Sequence, residues 1–131
     1  MQDTKHNRVP RVLLVDDDPI FGEIMQGVAR TERVPLIYYQ NAAEFYRDFK
    51  NLEFDVAIVD YDLGRVTGNQ LSNFVLKSGK NVPVVLVSSA TLTKSRPWAE
   101  NVLEVVNKKN GAYGIFFSAL RAFDASSSSD T

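Results

Sequence analysis

The chain has no cysteine and a single histidine, His6, which excludes disulfide frameworks, thiol nucleophiles, Cys-based zinc sites and histidine clusters. It also lacks a charge excess, with 15 Lys and Arg against 16 Asp and Glu. General electrostatic attraction to nucleic acid or to an anionic membrane is therefore not expected. No apolar run approaches the roughly 20 residues that cross a bilayer, and the polar opening from Met1 to Arg8 is not a signal peptide. These absences predict a cytoplasmic protein with neither a nucleic-acid nor a membrane partner. With 131 residues, the chain fits one domain able to bury its own core, without room for a second.

What is present is an alternation of short β-branched runs with segments of helical spacing, the pattern of a parallel sheet covered on both faces. The apolar runs are Val12 to Val15, Leu36 to Tyr39, Val56 to Val59, Val84 to Val87 and Leu103 to Val106. Between them, Ile20, Ile24 and Val28 with Phe21 and Met25 predict a first helix opening near Pro19. Phe45, Phe49 and Leu52 predict a short second helix, and Leu71, Phe74 and Val75 a third. A fourth helix is expected between Ala90 and Glu104, where Pro97 weakens the pattern. Tyr113, Phe116, Phe117, Leu120 and Phe123 supply the apolar face of a last helix. The serines from Ser126 to Ser129 predict a mobile tail.

Two of the strands end in acids: Val15 precedes Asp16, Asp17 and Asp18, and Val59 precedes Asp60, Tyr61 and Asp62. Ligand sites in open α/β sheets lie at the carboxyl ends of strands, so both clusters fall where chemistry is expected. If the first and third strands are neighbours, their carboxylates converge and repel unless a cation neutralises them. Hard oxygen donors without His or Cys point to Mg²⁺, held by Asp16, Asp17 and Asp60. Asp18, directly before Pro19, reads instead as a helix cap. Ser88 and Lys108 close two further strands. A hydroxyl and an ammonium beside a metal-bound carboxylate are the groups that hold the spare oxygens of a transferring phosphoryl group.

Four segments together, Val12 to Pro19, Asp55 to Gly64 with Gly68, Pro83 to Ala90, and Lys108, resemble the receiver domain of two-component response regulators, in particular the stand-alone chemotaxis regulators. The resemblance implies a flavodoxin-like (βα)₅ doubly wound parallel sheet of order 2-1-3-4-5. The domain would span residues 10–124, flanked by a polar tail at 1–9 and a Ser-rich tail at 125–131. It implies Asp60 as phosphoacceptor, supplied by a sensor histidine kinase or phosphotransfer protein. Asp17 and Asp60 would bind Mg²⁺ directly, Asp16 through a water, and the main-chain carbonyl of Asp62 would be a further ligand. Ser88 would be the switch hydroxyl and Lys108 the ammonium paired with the phosphoryl group. Such a domain is not an enzyme on other substrates; it signals through phosphorylation-dependent protein binding.

The chain also departs from the family pattern. Gly64 stands where Pro is usual, Thr67 where Asp is common, Lys109 where Pro follows the lysine, and Val105 where an aromatic residue couples the switch to the surface. The phosphorylation site is thus expected intact and the output face altered, which leaves a receiver-like binding module that no longer signals by phosphate as an alternative. A second alternative is an Asp-nucleophile phosphohydrolase, because Asp60-Tyr61-Asp62 resembles the Asp-x-Asp of haloacid-dehalogenase-type enzymes. That family carries the motif on its first strand, whereas here it follows the third. No glycine pattern matches a nucleotide-binding loop.

Overall fold

Val12, Leu13, Leu14 and Val15 form strand β1 (Val12–Val15), and all four side chains are fully buried. Their alternation sends Val12 and Leu14 into one apolar cluster and Leu13 and Val15 into another, as a strand covered on both faces requires. Around it lie β2 (Leu36–Tyr39), β3 (Val56–Asp60), β4 (Val84–Ser88) and β5 (Val102–Asn107). All pairings are parallel and the order is β2-β1-β3-β4-β5, the expected flavodoxin-like arrangement. The structure is a computed structural model and describes residues 8–92 and 97–128. Residues 1–7 and 129–131, which carry most of the expected N-terminal tail and the end of the C-terminal one, lie outside the described residues.

Helix α1 (Pro19–Glu32) begins with Asp18 as its N-cap, whose side chain accepts a hydrogen bond from the Ile20 amide at 3.0 Å, with Pro19 in the first turn. Asp18 is thus a cap, as its place before proline predicts. The buried face of α1 is Gly22, Met25, Val28 and Ala29, not the expected Ile20 and Ile24, which are 68% and 51% exposed. Small residues, invisible to an apolar count, let the helix sit closer to the sheet and turn the isoleucines outward. Helix α2 (Ala42–Asp48) tightens into a 3₁₀ turn at Phe49–Asn51, so Leu52 lies beyond the expected second helix. Helix α3 (Gly68–Lys77) opens with a capping box between Thr67 and Gln70.

The last helix, α4 (Ala112–Ser128), packs with α1 on one face of the sheet. It buries Ile115, Phe116, Ala119, Ala122 and Phe123, while Tyr113 and Phe117 stack on each other at its exposed side. Two members of the expected stripe therefore face outward, again because alanines take the inner positions. The helix continues past residue 124, so the start of the serine run is its last turn.

The expected helix between β4 and β5 is absent among the described residues; residues 93–96, in its middle, lie outside them. Pro97 has no amide to donate and disfavours helix in the residue before it. Beyond it the chain is tied to α3 instead: the Ala99 amide donates to Asn69 Oδ1 at 2.8 Å, and the buried Asn101 donates through Nδ2 to the Ser72 carbonyl at 3.0 Å. Trp98 meets Tyr61 edge-to-face with ring centroids 6.0 Å apart. It also walls a cavity of about 190 Å³ with Val102, Leu103, Glu104 and Val105.

Candidate functional site

The register of the sheet assembles the site. Val15 is level with Val59 across the β1–β3 pair, so the next residue on each strand, Asp16 and Asp60, emerges side by side at the carboxyl edge. Asp16 is fully buried, Asp60 is 6% exposed, and Asp17 is open to solvent. One carboxylate oxygen from each of the three lies within 4.8 Å of the others. The clusters from two distant stretches of sequence thus meet, as expected if the first and third strands are neighbours.

Lys108 reaches the cluster from a 3₁₀ turn (Lys108–Asn110), which Asn107 caps by accepting the Lys109 amide at 2.8 Å. Its Nζ donates to Asp16 Oδ1 at 3.2 Å and lies 3.0 Å from Oδ2, but 4.0 Å from Asp60 Oδ2. The ammonium also sits over the Phe21 ring, 4.7 Å from its centroid, a cation–π contact that fixes it in place. Burial depresses the lysine, yet the hydrogen bond and charge of Asp16, with the charge of Asp60, outweigh it and raise its pKa. Lys108 is charged.

The electrostatics remain unbalanced. Burial raises Asp60 to about 7, helped by the charge of Asp16 and only partly offset by Lys108. Asp16 is raised as well, chiefly by burial, against hydrogen bonds from the Asp18 amide at 2.9 Å and from Lys108. Among the described residues, Lys108 is the cation within ion-pair reach of the cluster, and it reaches Asp16 and Asp60 but not Asp17. Asp16 Oδ2 is buried and takes no properly directed hydrogen bond, although the ammonium is near. A spare buried oxygen, hard donors only and a net negative cluster fit a small divalent cation such as Mg²⁺.

Two further features set the position of Asp60. Gly68, first residue of α3, lies so close to β3 that a Cβ there would be 2.3 Å from the Asp60 carbonyl oxygen. The loop before it doubles back, with the Gly68 amide donating to the Tyr61 carbonyl at 2.6 Å and the Leu63 amide to the Val66 carbonyl at 3.2 Å. Gly64 has φ +86° in this loop, a conformation closed to the proline usual in the family. The Asp62 carboxylate is exposed and accepts the Gly64 amide at 3.1 Å. It serves its own turn, unlike the acid–base partner a phosphohydrolase needs.

Ser88 ends β4, one residue beyond Val87, the register partner of Asp60. It is buried, and its Oγ accepts the Ala90 amide at 3.0 Å. Lys108, Asp16, Asp17 and Asp60 thus form one contiguous group, with Ser88 on the adjoining strand end. Phe21 was not legible as a site residue, and Gly68 entered the sequence reading only among the residues that carry the resemblance, although the Thr67-x-x-Gln70 capping signature marks the helix start that brings it in.

Comparison with known proteins agrees with this fold. Residues 12–110 match the family described as the response regulator receiver domain. The chain belongs to that family, the signalling domains of two-component systems. Among solved structures, it resembles a CheY-like receiver domain protein from Methanospirillum hungatei with a TM-score of 0.78 and 17% identity, covering 95% of this chain and 100% of that one. It also resembles response regulator TrrA from Thermotoga maritima, solved with Mg²⁺ and beryllofluoride, with a TM-score of 0.75 and 20% identity over 86% and 97% of the two chains. At such identities these likenesses show the fold. In sequence it is 28% identical over 79 residues to an uncharacterized transcriptional regulatory protein, YbdJ, of Bacillus subtilis, covering 60% of this chain and 34% of that protein. The chain thus spans about a third of that curated relative's length.

Proposed function

We propose that this receiver domain accepts a phosphoryl group on Asp60 from the phosphohistidine of a sensor kinase or phosphotransfer protein, and that the phosphorylated form acts by binding another protein. The observation that carries the reading is the meeting of Asp16, Asp17 and Asp60 with the Lys108 ammonium at one strand edge. Asp17 and Asp60, with Asp16 and the Asp62 main-chain carbonyl, would hold Mg²⁺, which when bound neutralises the phosphoryl oxygens.

The chain's own residues account for the rest. Asp60, unprotonated, uses a carboxylate oxygen as nucleophile; a P–O bond forms as the P–N bond to the donor imidazole breaks, leaving an acyl phosphate and a neutral donor histidine after proton uptake. Lys108 stands 4.0 Å from that carboxylate, placed to pair with the added charge. The Ser88 hydroxyl, now accepting from the Ala90 amide, is free to donate its proton to a phosphoryl oxygen. Trp98, against Tyr61 beside Asp60, makes the segment after β4 a natural place for the change to be felt.

Intact mass after incubation with acetyl phosphate and Mg²⁺ tests the reading. One added phosphoryl mass, abolished in Asp60→Ala, is expected. Retention of the mass in Asp60→Ala overturns the acceptor. No modification of the wild type at all favours the receiver-like module that does not signal by phosphate.

A further inference from the structure

Gly22 lies inside α1, where glycine is unfavourable by roughly 1 kcal/mol relative to alanine. Its backbone is ordinary helix and needs no glycine. The reason is space. A Cβ at Gly22 would fall 2.3 Å from Cζ and 2.6 Å from Oη of Tyr38, which projects from β2 into the notch that the missing side chain leaves. No other residue at this position lets the ring stay.

The hydroxyl that the notch admits has a specific target. Tyr38 Oη donates to the Asp16 carbonyl at 2.8 Å and lies 3.4 Å from the Asp18 carbonyl. Those two residues flank Asp17, the one exposed member of the carboxylate cluster. The turn is otherwise held by the Asp16 amide on the Tyr39 carbonyl at 3.1 Å and by the Asp18 amide on Asp16 Oδ1 at 2.9 Å. Its Asp18 end is fixed by the helix start, with the Ile20 amide on Asp18 Oδ1 and the Gly22 amide on the Asp18 carbonyl, both at 3.0 Å. None of these bonds engages the carbonyl of the peptide that joins Asp16 to Asp17.

We propose that Tyr38, seated in the Gly22 notch, is a positioning residue for cation binding: its hydroxyl holds the Asp16 carbonyl, and with it the peptide leading into Asp17, and so aims the Asp17 carboxylate at the site. This rests on the Mg²⁺ reading above. The clamp couples the edge strand β2 to the β1–α1 turn, so the geometry of the site depends on a residue that touches neither cation nor phosphoryl group.

Two variants of the full chain test it. Tyr38→Phe keeps the ring and removes the hydroxyl; Mg²⁺ affinity, read by Trp98 fluorescence or calorimetry, is expected to fall about threefold to tenfold, the equivalent of one hydrogen bond. Amide hydrogen exchange at Asp17 and Asp18 should quicken in the metal-free protein. The double variant Gly22→Ala with Tyr38→Ala removes the steric conflict and the hydroxyl together. It should recover much of the melting temperature lost in Gly22→Ala alone, and none of the Mg²⁺ affinity. Wild-type affinity in either Tyr38→Phe or the double variant overturns the clamp. If the wild type itself shows no Mg²⁺ binding, the metal reading fails instead. The hold of Tyr38 on the turn is then judged by exchange alone, and unchanged exchange in Tyr38→Phe overturns it.

Discussion

Asp55 and Asp60 stand at opposite ends of β3, both largely withdrawn from water, and their carboxylates behave in opposite ways. Asp55 accepts from the Arg11 side chain at 3.0 and 3.1 Å, from the Arg11 amide at 2.7 Å, and pairs with Arg8 at 3.1 Å. Burial pushes Asp55 up, yet the hydrogen bonds from Arg11 hold it down at about 2. Asp60 faces like charges and a lysine at 4.0 Å, and stands at about 7. One end of the strand is saturated with counter-charge and is structural. The other is left short of it, an imbalance that marks candidate functional sites.

The largest expected effect at the site end comes from Gly68→Ala. The new methyl group meets backbone that cannot swing away, so unfolding in urea should show a loss of about 2–3 kcal/mol, the usual scale of overpacking. An unchanged midpoint would mean that α3 shifts without strain, and that Asp60 is held less tightly than its contacts imply.

At the opposite end, Arg11→Ala should lower stability by about 1–2 kcal/mol at pH 7, less than a fully buried pair because Arg11 is 42% exposed and Arg8 remains. The sign with pH follows from the depressed Asp55: its stabilisation is present above the ordinary value of 3.8 and is lost as pH falls through about 2. The difference between wild type and variant should therefore shrink in acid. A constant difference down to pH 2 would break the contrast between the two ends.

Asp60→Asn should do the reverse and stabilise the metal-free protein at pH 8, by on the order of 1 kcal/mol. A raised carboxyl binds more protons folded than unfolded, so the wild type loses stability as pH rises from 3.8 through about 7. Thermal melts in chelator should show the variant ahead at pH 8 and level at pH 4. Equal melting temperatures at both pH values would show that Asp60 is not under strain.

The smallest effect is expected from Phe21→Leu, which removes the ring under Lys108. A double-mutant cycle with Lys108→Ala, scored by the rate of phosphorylation from acetyl phosphate, should give a coupling of about 0.5–1 kcal/mol. Additive effects would reduce Phe21 to packing alone.

Much of this molecule was legible before folding was considered. Strands buried on both faces must be apolar along their length, so the sheet announced itself in Val12 to Val15, Val56 to Val59 and Val84 to Val87. Asp16, Asp17 and Asp60 stood out because two acid runs end apolar strands where the ligand sites of α/β sheets lie, a joint pattern that outweighs a turn or cap role for either run alone. Asp18 before Pro19 was legible as a cap for a purely local reason, the hydrogen bond it can make two residues on.

Other features depended on packing between segments distant in sequence. The inner face of α1 is set by Gly22 and Ala29 as much as by Met25 and Val28, and apolar periodicity cannot see a residue whose contribution is the space it leaves. Among the described residues after β4, the chain expected to be helical is instead a strap bonded to α3 through Asn69 and Asn101, partners found only once the chain is folded. That Lys108 favours Asp16, at 3.0 Å, over Asp60, at 4.0 Å, is likewise decided by small distances across the sheet edge. Residue type and spacing determined which groups would gather; only the tertiary structure decided how their charges are shared, because Coulomb energies and burial depend on distances that no local pattern encodes.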